Sequence, residues 1–309
     1  MYDRKLDLTN LIKHKSLFLL GSRQTGKSTL LRTLFPHAKW FDLLEADTFR
    51  ELSARPEWIR QTLKETDELI IIDEIQKLPK LLDEVQLLID RHPQLRFILT
   101  GSSARKLKRG GANLLGGRAW IYHLHPLISS ELNFLRLADR LTKGSLPAII
   151  DSPFYEQDLR AYVGTYLQEE IQAEGFARSI EGFSRFLELA GLSNGEQLNF
   201  TAIASDAGIP AKTIREYYQI LEDTLVGHLL PAYQKTIKRK AMATAKFYFF
   251  DVGIANVLMR RGIVSEGSES FGRALEHLIL LELRAYLDYT QRDLPLTYWR
   301  SRSGYEVDF

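Results

Sequence analysis

Two glycines, a lysine and a serine stand in one short stretch of this chain at a spacing that can close around phosphate. Gly21-Ser22-Arg23-Gln24-Thr25-Gly26-Lys27-Ser28 places four residues between its glycines and sets Lys-Ser directly after the second. Glycine permits positive φ and close approach of the main chain, so successive N–H groups in such a turn can point inward at anionic oxygens. A lysine at this position reaches the terminal phosphates of a nucleoside triphosphate, and a hydroxyl beside it can ligate their Mg²⁺. The flanks fit that use. Ser16-Leu17-Phe18-Leu19-Leu20 reads as a buried strand, and Ser28 to Phe35 reads as the first turns of a helix stopped by Pro36. The positive end of that helix adds to the attraction. The spacing therefore predicts that Gly21, Ser22, Arg23, Gln24, Thr25, Gly26, Lys27, Ser28 and Thr29 surround the phosphates, with Lys27 on the β- and γ-groups and Ser28 on the metal.

Leu69-Ile70-Ile71-Ile72-Asp73-Glu74 is a continuous apolar run ending in two acids, the pattern of a central parallel strand with a metal-facing tip. It resembles a Walker B motif, which assigns Asp73 to Mg²⁺ and leaves Glu74 to polarise the attacking water. The next strand candidate, Arg96 to Ser103, is apolar until it opens into small hydroxyl residues. Thr100, Ser102 or Ser103 could sense the terminal phosphate, and the pattern does not choose among them. The basic run Arg105-Lys106-Leu107-Lys108-Arg109 reads as a solvated face. Arg118, presented by Gly116-Gly117, is the candidate arginine finger, to its own or a neighbouring site.

Around these residues, positions 1 to about 135 alternate strands and helices at 16–20, 27–35, 38–44, 47–65, 69–73, 80–91, 95–100 and 119–124. That alternation predicts a parallel sheet flanked by helices. Beyond about residue 126 the pattern turns helical, with helices expected at 154–174 and 179–191 and a domain boundary within 126–155. The 309 residues, 45% hydrophobic and 26% charged, are ordinary globular composition with room for two or three domains. A net charge of +2 neither demands nor excludes nucleic acid, so any basic surface must be local. With no cysteine, disulfide and thiolate chemistry are excluded and an intracellular site is expected. The charged start predicts no secretory signal, and no apolar run has the length to cross a bilayer. No internal repeat or low-complexity segment is present.

Arg23 to Ser28, Ile72-Asp73-Glu74-Ile75-Gln76-Lys77, Thr100-Gly101-Ser102-Ser103, Gly117-Arg118 and His125-Pro126-Leu127 follow one another as in a large family of prokaryotic AAA-family ATP-binding proteins, which the chain resembles over nearly its whole length. Members typically carry a winged-helix segment and a C-terminal PD-(D/E)xK-like domain of unknown function. The resemblance implies ATP as nucleotide, Mg²⁺ as cofactor and a cytoplasmic location. Family members usually continue past the position of Phe309.

Phe200 to Leu221 reads as a short helix, a turn at Gly208 and a second helix with Ile214, Tyr218 and Leu221 on one face, a helix-turn-helix pattern. Lys212, Arg215, Glu216 and Gln219 then fall outward, where DNA would be met. From Thr224 to Phe250 there is no acid, while Lys235, Lys238, Arg239, Lys240 and Lys246 supply cations to what reads as a hairpin wing. DNA binding is the favoured reading; the other is that the winged helix packs against the ATPase core or a partner protein and the wing is solvated. A protein partner or a second copy of the chain is a further expected partner. Further on, an apolar helix carries Glu276 and Glu282, and a hairpin around Ser303-Gly304 carries Asp308. These resemble the opening of a PD-(D/E)xK core, in which a helix Glu and a strand Asp share a metal. The strand that would add an acid and a lysine two residues apart lies outside this sequence, so an inert remnant or a truncated site is expected. The whole reads as an α/β P-loop ATPase domain over 1–135, a helical region over 136–195, a winged helix over 196–252 and a truncated α+β nuclease-like segment over 253–309. The expected activity is Mg²⁺-dependent hydrolysis of ATP to ADP and phosphate, coupled to possible duplex DNA binding. The alternatives are a nucleotide-gated DNA-binding regulator and an ATPase-linked nuclease with an incomplete site.

Overall fold

Strand β1 (Ser16–Leu20) is buried along its whole length, because parallel strands are covered on both faces. The computed structural model describes residues 2–103, 115–132, 137–166, 180–233, 245–301 and 303–309. They form two compact units, Asp3–His125 and Pro126–Phe309, apart from the first two residues.

In the N-terminal unit β1 joins β2 (Lys39–Asp42), β3 (Leu69–Asp73), β4 (Arg96–Gly101) and β5 (Ala119–His123) in a sheet of order β2-β3-β4-β1-β5. Every pairing is parallel. Parallel neighbours need crossovers, and helices supply them. After α1 (Leu8–His14) come α2 (Lys27–Leu34), α3 (Ala46–Ala54), α4 (Trp58–Thr62) and α5 (Leu81–Arg91). The helical stretch expected over 47–65 is two helices. Pro56 lacks an N–H and pushes Arg55 out of the helical region, to φ −140°, ψ 84°. The register sets Leu20 opposite Gly101 and Ile72 opposite Leu99, so the C-terminal tips of β1, β3 and β4 share one edge of the sheet. Ligands of open α/β sheets bind at that edge.

The C-terminal unit contains α6 (Leu137–Lys143), α7 (Pro147–Ile150), α8 (Tyr155–Ala161), α9 (Ile180–Leu192), α10 (Phe200–Ala207) and α11 (Ala211–Asp223). The antiparallel pair β6 (Gly227–Leu230) and β7 (Lys246–Phe249) follows, then α12 (Val252–Leu258) and α13 (Glu269–Thr290). The hairpin β8 (Trp299–Arg300) and β9 (Glu306–Val307) closes it. The first expected helix, 154–174, is described only as far as Tyr166, and its last described turn is a π-turn over Tyr162–Tyr166. One core holds Leu146, Phe186, Tyr218, Phe247 and Ile254 together. The rings of Phe186 and Phe247 both meet Tyr218 edge-on at 4.9 Å.

Gly208, at φ 65°, caps α10 and turns the chain into α11, a positive φ that suits glycine. Ile214, Tyr218 and Leu221 are buried, while Lys212, Arg215, Glu216 and Gln219 are exposed. Asp251 caps α12, its carboxylate accepting from the N–H groups of Gly253 and Ile254 and from that of Ser145. His277 is buried on α13; its Nε2 meets the Phe249 carbonyl at 2.6 Å and its Nδ1 meets the Asn194 amide.

Candidate functional site

The turn after β1 is fixed before any ligand is considered. The Gly21 N–H donates to the Gly101 carbonyl at 3.1 Å. A Cβ at residue 21 would lie 2.4 Å from the Leu124 carbonyl oxygen, so only glycine lets the loop start there. Gly26, at φ 91°, is the N-cap of α2, and no side chain among the described residues caps that helix. The Thr25 hydroxyl donates to the Ser22 carbonyl at 2.8 Å, and Arg4 braces the loop from outside by donating to the carbonyls of Thr25 and His125. The ammonium of Lys27 is buried and folded back on the loop, 2.7 Å from the Gly21 carbonyl and 3.1 Å from that of Ser22. Ser28 and Arg23 are half-buried, and Gln24 and Thr29 are exposed.

Asp73 ends β3 and is buried, as is Glu74. Thr100, at the tip of β4, donates its hydroxyl hydrogen to the Asp73 carboxylate and accepts the Glu74 N–H at 3.0 Å. Thr100 thus spends its single hydrogen on the Asp73 carboxylate. Ser102 accepts from the Gln76 amide at 3.1 Å, and the same amide donates to the Glu74 carboxylate. The buried Ser103 hydroxyl has no partner among the described residues. Gln76 and Arg4 are functional candidates that sequence reasoning misses. Gln76 stands in the Ile72–Lys77 run that carries the family resemblance but is given no role there, and Arg4 lies too far along the chain from the loop to give a signal.

The residues fit a nucleotide with Mg²⁺. A glycine that a side chain would crowd, a second at positive φ, an uncapped helix start and a buried lysine offer donors and positive charge to phosphate. Asp73 and Ser28 are hard oxygen donors suited to Mg²⁺, which takes most of its ligands from phosphate and water. Among the described residues no three His, Cys, Asp or Glu side chains gather as a protein-only metal cage.

The remaining expected site residues are placed as follows. Arg118 does not stand free on its turn, because its guanidinium pairs twice with Asp90, at 2.6 and 3.0 Å. Lys212 and Arg215 are exposed on α11, with the Arg215 guanidinium 5.1 Å from the Phe200 ring centre. Lys238, Arg239 and Lys240, like Lys235, lie outside the described residues. Lys246 is not a wing cation: it is buried, 3.1 Å from Glu276, 2.6 Å from Glu306 and 3.5 Å from Asp308. Burial alone would lower its pKa, but the hydrogen bonds and charges of Glu306 and Glu276 outweigh that and raise it. Glu276 also accepts from the Tyr248 hydroxyl, which burial and that carboxylate push up. Glu276 and Asp308 thus meet around a lysine. Glu282 does not join them, since it accepts from Arg140 at 2.5 Å and from Ser129. A buried-stripe acid needs a partner, and Arg140, itself buried, is that partner.

No helix among the described residues is long and apolar enough to cross a membrane. The chain is 27% identical to an uncharacterized protein of Mycobacterium bovis and, equally, to one of Mycobacterium tuberculosis, covering 94% of this chain and 66% of each relative. It therefore spans just under two thirds of the length of these curated relatives. Residues 135–264 match a domain of unknown function. Residues 13–133, which hold the loop, both acids and the β4 hydroxyls, match the model of an AAA domain, and the N-terminal region is an AAA-like P-loop domain.

Proposed function

We propose that the N-terminal unit binds ATP with Mg²⁺ and hydrolyses it to ADP and phosphate in the cytoplasm. The observation that carries this reading is the shared sheet edge, where the Lys27 loop after β1 stands with the Asp73-Glu74 pair after β3 and the hydroxyls after β4. In this reading the loop amides and Lys27 hold the phosphates, and the Gly21 and Ser22 carbonyls that Lys27 now contacts are the partners a phosphate replaces. Ser28 and Asp73 hold Mg²⁺, which neutralises phosphate charge. Thr100 keeps the Asp73 carboxylate aimed, and Glu74 orients and polarises water for attack on the γ-phosphate. Lys27→Ala should abolish nucleotide binding. Glu74→Gln should retain it while turnover falls about a hundredfold or more, since it keeps the shape but loses the base. Phosphate release and equilibrium binding separate the two, and undiminished turnover in Glu74→Gln would remove it from the mechanism.

A second reading, duplex DNA binding by the C-terminal unit, is favoured by the exposed Lys212 and Arg215 on α11, opposite its buried face. If it holds, replacing Lys238, Arg239 and Lys240 by Ala weakens binding alike for unrelated sequences, and each lost phosphate contact flattens log affinity against log salt by about 0.9. Replacing Lys212 and Arg215 should also change preference among sequences. A salt series on wild type and both variants decides it, and unchanged affinity and slope in the triple variant would point to protein docking instead.

A further inference from the structure

Glu74 has φ 62° and ψ 43°, a left-handed conformation that costs a side-chain-bearing residue about 1 kcal/mol or more. A residue held there is over-determined by its surroundings, and Glu74 is held at two points. Its N–H donates to Thr100, and its carboxylate accepts from Gln76, which sits in the 3-10 turn Ile75–Lys77.

Gln76 is an unusual residue to bury at this point. It is 5% exposed, and its amide nitrogen serves both Glu74 and Ser102 while its amide oxygen has no partner among the described residues. An unpaired buried acceptor costs about 1–3 kcal/mol, so a methionine of similar volume would suit the fold better. The strand beside it makes room for the amide. A Cβ at residue 101 would come within 2.7 Å of the Gln76 oxygen, whereas its nearest other neighbour lies at 3.5 Å. The amide is kept at a cost, in a space cleared for it, between the proposed water-activating acid and a hydroxyl of the phosphate-facing strand.

We propose that Gln76 is a positioning residue for ATP hydrolysis: its amide aims the Glu74 carboxylate and ties that aim to the Ser102 hydroxyl, so that a phosphate oxygen hydrogen-bonding to Ser102 changes where Glu74 points. The inference rests on the reading of the N-terminal unit as an ATPase. Gln76 touches neither the nucleotide nor the water in this scheme; it acts through Glu74.

Two variants remove the clamp by different routes. Gln76→Met deletes the amide at similar volume, and Gly101→Ala leaves the amide intact but fills its space. Both should lower kcat about tenfold to a hundredfold, because a small misplacement of a reacting group costs that much, while KM and the equilibrium affinity for ATP change less than about threefold. In a Glu74→Gln background neither should lower the residual rate further, since the residue they position is already disabled. Retained ATP affinity shows that the site is folded in each variant, and Gly101→Ala carries the test should Gln76→Met fail to fold. Wild-type turnover matched by both variants overturns the role of Gln76 alone. Losses that add to that of Glu74→Gln, or that appear in KM and affinity, mark a merely structural residue and also overturn it. A wild-type protein that binds ATP and never hydrolyses it removes the ATPase reading and this inference together.

Discussion

Thr100 shows how one hydroxyl is divided at the proposed site. Its hydrogen goes to Asp73 and a lone pair takes the Glu74 N–H, so one side chain orders both acids. Thr100→Val, which keeps the shape, should therefore cut ATP turnover about tenfold or more with binding retained, and Thr100→Ser should recover most of it. Phosphate release and binding titrations on the pair check this; a Thr100→Val protein with wild-type turnover would free Thr100 from the role. Arg118 is the contrast. Held by Asp90, it should leave turnover within about threefold when replaced by Ala, whereas an arginine finger would lose a thousandfold or more. Lys27, Asp73 and Glu74 can be picked out as candidates in the sequence because each stands in a short motif at the end of an apolar strand run. The partners of Thr100 and Arg118 cannot, because they lie 26, 27 and 28 residues away and only the fold brings them near.

Strands announce themselves more faithfully than helices. The stretch 69–73 is β3 to the residue, since an apolar run between polar flanks leaves little choice of boundary. The stretch 47–65 looks like one helix because its apolar spacing continues across Pro56, and periodicity carries no information about a missing N–H. Lys246 misleads for a related reason. The stretch from Thr224 to Phe250 holds no acid, yet the carboxylates that surround Lys246 come from α13 and from the β9 hairpin, far along the chain. Local charge counts report on solvated faces and fail where strands from elsewhere supply the counter-charge. Glu282 is the converse: its place on an apolar stripe demands a partner, and Arg140 is there.

Two buried groups should shape the stability of the C-terminal unit with pH, and in opposite directions. Burial lowers His277 from 6.5 to about 4, so the unfolded chain binds the extra proton between those values and stability rises with pH across them. Burial raises Asp251 from 3.8 to about 6, so here the folded chain holds the extra proton and stability falls as pH rises through that window. Each amounts to about 3 kcal/mol at most, and the two nearly cancel between about pH 4 and pH 6. Wild type should melt at nearly constant temperature across that range. His277→Gln, lacking the rising contribution, should lose stability as pH rises. Asp251→Asn should gain it, from a lower starting point because the α12 cap is weakened. Thermal melts of the C-terminal transition at half-unit steps of pH check this, and parallel profiles for the three proteins would show that neither group titrates as its burial implies.

The strand order β2-β3-β4-β1-β5 also has a consequence for how the chain can be born. β1 leaves the ribosome first, yet its two neighbours are the last strands of the sheet to appear: the Phe97 N–H that meets the Ser16 hydroxyl comes 81 residues later, and β5 later still. Until both have been synthesised, the apolar strand that carries the phosphate loop has no sheet to enter. Loop closure over such separations is slow, and an unpaired apolar strand is exposed to aggregation meanwhile. Nascent chains stalled before Ala119 should therefore be protease-sensitive throughout, with protection arriving in one step once β5 has cleared the exit tunnel.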